Sequence, residues 1–290
     1  TDDLVVLPRA GLAVRDLGTG KRWVLPENGA KQWRVATTRT GVTRVSFRRG
    51  GWRQWRVLSG AGEFSAGGRP VTLVTPTGDR PYRGRLRAVA GDTVNLLPLD
   101  GYLKGVVPLE MPATWSPAAV QAQAVAARTY ATYERVARGV LCDTTSCQVY
   151  GGYAAEHPAS NAAVAATRGT VLTDAGAPAF TQFSSSSGGW TSAGAVPYLP
   201  AVEDPYDGWS GNPVHAWTLR LDAARLEQAW PAVGDLQGIT VTDRDGNGDW
   251  GGRVRTLTLA GTAGSVTVSG DTFRSLLGLR STYLTFEVAP

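Results

Sequence analysis

From Leu4 to about Thr75, hydrophobic and polar positions alternate in short β-branched or aromatic runs broken by glycine, among them Trp33 to Ala36, Val42 to Phe47, Trp52 to Leu58 and Val71 to Thr75. This period predicts a small antiparallel β module. Pro81 to Leu97 reads as one more hairpin, turning at Ala90-Gly91-Asp92 and handing the chain to a short helix that starts near Asp100. The pattern then changes to that of a long buried helix. Ser116 stands as N-cap, Pro117 at the first helical position, Trp115 where it can pack back onto Val120, and Gly139 as the stop. Between them Ala118, Ala119, Ala122, Ala124, Ala126, Ala127 and Ala131 give high helix propensity and a thin surface that lets other backbone approach. A second alanine-rich helix begins at His157-Pro158 and runs to Gly169, and Thr170 to Phe183 reads as a hairpin turning at Asp174 to Gly176. The last third holds a short helix from Asp222 to Trp230 and β-rich text closing on a helix from Asp271 to Leu277. The expected fold class is α+β in two modules: a β-rich one over 1–78, and a mixed one over 79–290 built on the alanine-rich helix with a β-rich C-terminal part.

Composition changes this picture in one respect. The 290 residues, 42% hydrophobic, suffice for a substantial core, and no apolar run is long enough to span a membrane. The net charge of +5, however, is unevenly placed: residues 1–90 hold seventeen Lys or Arg against six Asp or Glu. Such a basic module favours polyanions. Trp23, Trp33, Trp52 and Trp55 sit among its arginines, either as a stacking platform or as core residues of a small sandwich with a solvated basic face. No nucleic-acid fold signature accompanies them, so nucleic acid is not an expected partner.

One carboxylate, Glu110, is pinned between Pro108 and Pro112. Each proline fixes its own φ and biases the residue before it, Val107 or Met111, away from the α region, so the turn carrying Glu110 has few conformations to lose. A working acid needs that. Further on, Asp243, Asp245, Asn247, Gly248 and Asp249 fall at positions 1, 3, 5, 6 and 7 of a calcium-loop pattern, but the bidentate glutamate expected at position 12 is replaced by Val254. The loop is either a structural calcium site or an acidic β-turn.

The chain resembles the SpoIID/LytB family of bacterial cell-wall proteins, the sporulation-protein-D-like lytic transglycosylases and amidase enhancers. The resemblance rests on Tyr102 to Pro112 (YLKGVVPLEMP), Gln121 to Tyr130 (QAQAVAARTY), Cys142 to Gly151 (CDTTSCQVYG), Ala163 to Val171 (AVAATRGTV), Phe183 to Thr191 (FSSSSGGWT), Pro197 to Pro205 (PYLPAVEDP) and Gly270 to Thr282 (GDTFRSLLGLRST). It implies that Glu110 is the catalytic acid and base of a lytic transglycosylase that cuts peptidoglycan glycan strands and leaves 1,6-anhydro-muramyl ends. Such an acid must hold its proton near neutral pH, so Glu110 is expected in a partly apolar pocket against Met111 or Trp115. Hydrolases pair the acid with a second carboxylate, and none stands in an obvious motif.

By motif position and polarity, Lys104, Gln123, Arg128, Gln148, Tyr150, Ser186, Gly188 and Thr191 are candidates for lining the glycan cleft, with Arg128 equally suited to bracing a loop. The run Ser184 to Thr191 is then a cleft loop rather than a flexible linker. Cys142 and Cys147 are expected to close a small disulfide loop, as suits an exported protein. Zinc at this pair is the alternative, weakened by the lack of a histidine between them. No cofactor is required. The resemblance further implies an extracellular or wall-associated protein whose precursor carries an export signal, absent from the sequence as it opens at Thr1, and a wall amidase as a partner. The charge count alone suggests anionic wall polymers as the target of the basic module. The competing reading is a noncatalytic amidase enhancer. A Ser-His-Asp hydrolase would need Ser184 to Ser187 near His157 or His215 and lacks the nucleophile elbow.

Overall fold

The computed structural model describes residues 3–89 and 91–287; Ala90, in the turn expected at Ala90-Gly91-Asp92, lies outside the described residues. The chain is α+β and forms two compact units, Thr1–Phe183 and Ser184–Pro290.

The first unit opens with eleven strands: β1 (Leu4–Val6), β2 (Ala13–Asp16), β3 (Arg22–Val24), β4 (Gln32–Thr37), β5 (Thr43–Arg49), β6 (Gly51–Leu58), β7 (Gly62–Ser65), β8 (Val71–Thr75), β9 (Gly78–Tyr82), β10 (Arg85–Val89) and β11 (Asp92–Leu96). They pair antiparallel in two sheets, ordered β6-β5-β4-β1-β8-β9 and β11-β10-β7-β2-β3. The alternation read from the sequence is the reason: Leu4, Val6, Trp33, Val35, Val45, Val71, Val14, Phe64 and Leu86 share one core, while the residues between them face out. Trp33 and Trp55 belong to this core, ring centroids 5.7 Å apart, and Trp52 lies on the outer side with Arg34 stacked 4.3 Å above its ring.

The strands do not stop at residue 78. That boundary falls at the start of β9, which pairs with β8, and β10 pairs with β7, so residues up to Leu96 complete the two sheets. The sandwich also holds the helical part directly. Arg83 forms a bidentate ion pair with Glu156, the Tyr82 and Tyr150 rings stand 6.0 Å apart, and the Tyr150 hydroxyl donates to Asn95 Oδ1 at 2.7 Å.

That helical part comprises α1 (Leu99–Leu103), α2 (Val107–Glu110), α3 (Pro117–Arg138) and α4 (Pro158–Ala166). α3 is built as its sequence requires: Ser116 Oγ accepts from the Ala119 amide, Pro117 opens the helix, and Gly139 closes it in the left-handed region at φ 79°. Its alanines pack against Leu103, Val106, Val107 and, from α4, Val164. At the start of α4 the His157 ring accepts from the Ala159 amide, and the helix stops at Ala166, short of Gly169. A two-residue pair, β12 (Thr173–Asp174) and β13 (Ala177–Pro178), forms the expected hairpin.

The second unit contains α5 (Ala223–Ala229), a meander of β14 (Leu236–Arg244), β15 (Val254–Gly261) and β16 (Gly264–Ser269), and α6 (Gly270–Leu277). Its core is Leu257, Leu259, Phe273 and Leu277, with Trp230 stacked on Phe273. Among the described residues no helix is long and apolar enough to cross a membrane.

Candidate functional site

Glu110 is the last residue of α2. The prolines act unequally. Val107 is not pushed out of the helical region: it opens α2, and Pro108 follows in the first turn, where its missing N–H costs nothing. Met111, ahead of Pro112, is extended at φ −145° and ψ 136°, and this ends the helix at Glu110. Glu110 is half-buried, and its Oε1 accepts a hydrogen bond from the Val149 amide at 2.7 Å. Its other oxygen has no hydrogen-bond partner among the described residues. Of the two residues expected to wall it, Met111 packs against the helical core and Trp115 is 38% exposed.

The segment that presents Val149 is fixed from several sides. Cys142 and Cys147 are disulfide-bonded, Cα atoms 5.6 Å apart, immediately before it. Gln148, 1% exposed, donates through Nε2 to the Ala127 carbonyl and accepts from the Tyr102 hydroxyl. The Tyr150 amide donates to the Asp143 carbonyl and the Gly151 amide to that of Gly105. Gly105 has no room for a side chain, since a Cβ there would stand 2.7 Å from both the Gly152 carbonyl and the Tyr150 ring. Burial pushes the Tyr102 phenol well above its ordinary value, and the charge of Glu110 adds to it; burial does the same to Tyr150. Both phenols are therefore proton donors through the neutral range.

The other candidates divide. Lys104 is half-buried with no side-chain partner among the described residues. Gln148 and Tyr150 are braces, committed to Ala127, Tyr102 and Asn95. Arg128 is a brace too: 2% exposed, it donates to Asp100, Thr167 Oγ1 and the carbonyls of Val164, Ala124 and Thr170, tying α1, α3 and α4 together. Its placement in a glycan cleft is corrected accordingly, because a buried guanidinium must spend its donors inside the core. Gln123 is 8% exposed and its Nε2 has no partner among the described residues.

Ser186, Gly188 and Thr191 lie in the second unit, around an aspartate that sequence reading passed over. Asp207, 8% exposed, accepts from the Ser187 amide at 2.9 Å, the Gly188 amide at 2.9 Å, Ser186 Oγ at 2.8 Å and His215 Nδ1 at 2.7 Å. Burial alone would raise the carboxyl; the hydrogen bonds from His215, Ser187, Ser186 and Gly188 outweigh it and hold Asp207 below its ordinary value. Ser186 and His215 thus meet on one carboxylate, but not as a triad: the serine hydroxyl donates to the carboxylate instead of to the imidazole. Gly188 sits at φ 72° with the Tyr283 ring 2.9 Å from where a Cβ would be. Thr191 is exposed, its hydroxyl taking the Val202 amide. The only sequence signal for this hub is the clustering of Asp204 and Asp207 behind the serine run.

In the acidic loop, Asp245 Oδ1 accepts from the amides of Asn247 and Arg253, and Asp243 lies on β14. Asn247 Nδ2 also donates to the Asp245 carbonyl, and among the described residues no three Asp, Glu, His or Cys side chains converge as a metal site.

The family model described as Stage II sporulation protein, SpoIID, matches residues 89–173. The chain is 44% identical over 131 residues to the amidase enhancer of Bacillus subtilis (strain 168), covering 43% of this chain and 17% of that protein. It is 32% identical over 224 residues to stage II sporulation protein D of the same organism, covering 66% and 61%. Stage II sporulation protein D of Bacillus amyloliquefaciens is 33% identical over 166 residues, covering 49% and 47%. The chain therefore spans less than two thirds of the length of each. Residues 89–173, the segment that carries Glu110 and the disulfide loop, thus match the SpoIID family, and the chain is similar there to proteins named stage II sporulation protein D and amidase enhancer.

Proposed function

We propose that the chain acts on bacterial cell-wall peptidoglycan as a lytic transglycosylase with Glu110 as its single acid and base. One observation carries the reading: a half-buried carboxylate on a proline-framed helix end, with one oxygen held by the Val149 amide and the other unengaged. In the first step Glu110 gives its proton to the glycosidic oxygen as the bond to the muramyl C1 breaks. The leaving sugar departs with that proton. The carboxylate then takes the proton of the muramyl C6 hydroxyl as O6 bonds to C1, closing a 1,6-anhydro ring; no water is consumed, and neither a cofactor nor a second carboxylate is needed. Such a protein works outside the cytoplasm.

The second reading has its own support, the 44% identity to a protein named amidase enhancer. In it the same surface binds glycan and stimulates a separate wall amidase. Mass spectrometry of soluble products from intact and peptide-free glycan strands, with the wild type and with Glu110→Gln, separates the two. Anhydro-muramyl ends made by the wild type alone are the expected result. Reducing ends would indicate a hydrolase, and no cleavage with binding retained would favour the enhancer.

A further inference from the structure

The second unit contains a pocket of about 200 Å³ lined by Ser186, Ser187, Gly188 and His215, which hold Asp207, together with Ser185, Trp217, Arg280 and Tyr283. The Asp207 hub is rigid. Ser186 spends its proton on Asp207 and accepts from Asn212, Ser187 bonds Asp204, and Arg253 clamps the loop from below through the carbonyls of Ser187 and Trp190. With four donors on its carboxylate, Asp207 offers the pocket no free acceptor. What remains uncommitted points to an anionic ligand. Arg280 is exposed with no partner among the described residues, Ser185 has its hydroxyl free, and the His215 ring, held at Nδ1, keeps Nε2 available.

The walls add a second element. Trp217 and Tyr283 line the pocket, and Trp250, 56% exposed, leans on Tyr283 at 5.7 Å from a left-handed backbone at φ 55°, a strained setting for a bulky residue. Aromatic faces beside hydroxyls suit a sugar ring. The volume lies below the roughly 300–1,000 Å³ of drug-sized sites, so it takes one ring with a substituent and not a strand. A lone free arginine amid uncharged hydroxyls matches a single carboxylate.

We propose that this pocket is a subsite for a carboxylate-bearing saccharide, in which Arg280 takes the carboxylate and Trp217 and Tyr283 flank the ring. The proposal rests on the reading of the chain as a glycan-strand protein, within which the lactyl group of a muramyl residue supplies the carboxylate and a peptide stem is the competing source. N-acetylmuramic acid and N-acetylglucosamine differ by that lactyl group, and titrating the full chain with each, read by tryptophan fluorescence and NMR, is the test. The sugar acid should bind about tenfold more tightly, and Arg280→Gln should remove the difference. Trp217→Phe should weaken both sugars. Equal affinities, no binding of either, or a preference that survives Arg280→Gln overturns the proposal. D-alanyl-D-alanine serves as the other arm: failure to compete supports the lactyl source, and displacement of the sugar acid through Arg280 assigns the carboxylate to a peptide and overturns the saccharide. Glu110→Gln keeps the two readings apart, since it should abolish cleavage and leave this preference intact. A chain that cuts glycan without the preference overturns the pocket alone, and one with the preference that cuts nothing overturns the cleavage reading alone.

Discussion

Glu110 has one oxygen committed and one free, and the asymmetry determines what its substitutions do. Glu110→Gln keeps an acceptor for the Val149 amide, so unfolding free energy should change by less than about 1 kcal/mol while cleavage falls roughly 10²–10⁴-fold or more. Chemical denaturation alongside product analysis checks both; a large stability loss would mean that the carboxylate is a structural brace. Asp207 should behave in the opposite way. Its folded carboxyl lies below the ordinary aspartate value of 3.8 because four hydrogen bonds outweigh burial, so it contributes stability that is present above that value and is lost as pH falls through the lower folded one. The second unit should therefore melt at falling temperatures as pH drops below about 4, and Asp207→Asn should flatten that dependence. It should also cost roughly 1–3 kcal/mol per donor left without an acceptor. A pH series of calorimetric scans on both proteins decides it. Polarity in a motif misled at this scale: Arg128 and Gln148 look like ligands in the sequence, yet both spend their polar atoms on carbonyls and side chains 21 to 46 residues away or a turn along α3. Nothing local announces such partners.

Elements were legible where their signals are local. The Ser116-Pro117 start and Gly139 stop define α3 to the residue because the cap, the fixed proline φ and the left-handed glycine each act within one turn. α2 was not read, since four residues carry no period, and the helical state of Val107 depends on the contacts its buried side chain makes with α3. The Asp207 hub escaped for a related reason: its donors at 186–188 and 215 meet only after the chain folds back. The disulfide loop links these levels. By closing a six-residue ring it should restrict the unfolded chain by about 2 kcal/mol, and it lies just before the segment that offers the Val149 amide to Glu110. Reduction, or Cys142→Ser with Cys147→Ser, should raise hydrogen exchange at Val149 and Tyr150 and lower cleavage without unfolding α3. Unchanged exchange there would detach the loop from the site.

At the scale of the molecule, the sandwich matters in two ways that sequence reading joined. Part of its positive charge is neutralised in ion pairs: Arg85 and Arg87 are paired with buried Glu63, Arg83 with Glu156, and Arg34 with Asp3. The free charge is concentrated on β5 and β6, where Arg44, Arg48, Arg49, Arg53 and Arg56 are exposed. If these two strands hold anionic wall polymers, replacing Arg44, Arg48 and Arg53 by glutamate should abolish salt-sensitive binding to purified walls and spare the cutting of short soluble strands. Binding that persists in walls stripped of phosphate polymer would exclude that role. The second role is support. β9 and β10 pair with β8 and β7, and Tyr82 of β9, Arg83 in the turn after it and Asn95 of β11 meet Tyr150 and Glu156, next to the segment that holds Glu110. A chain trimmed to 79–290 would strip both strands of their partners and expose Leu86, a fully buried core residue. It should lose the native near-ultraviolet signal of the tyrosine ladder and all cleavage, even on soluble strands that need no wall anchor. A trimmed chain that folds and cuts would show that the sandwich serves only for attachment, and the contacts at Tyr150 would then be incidental to the site.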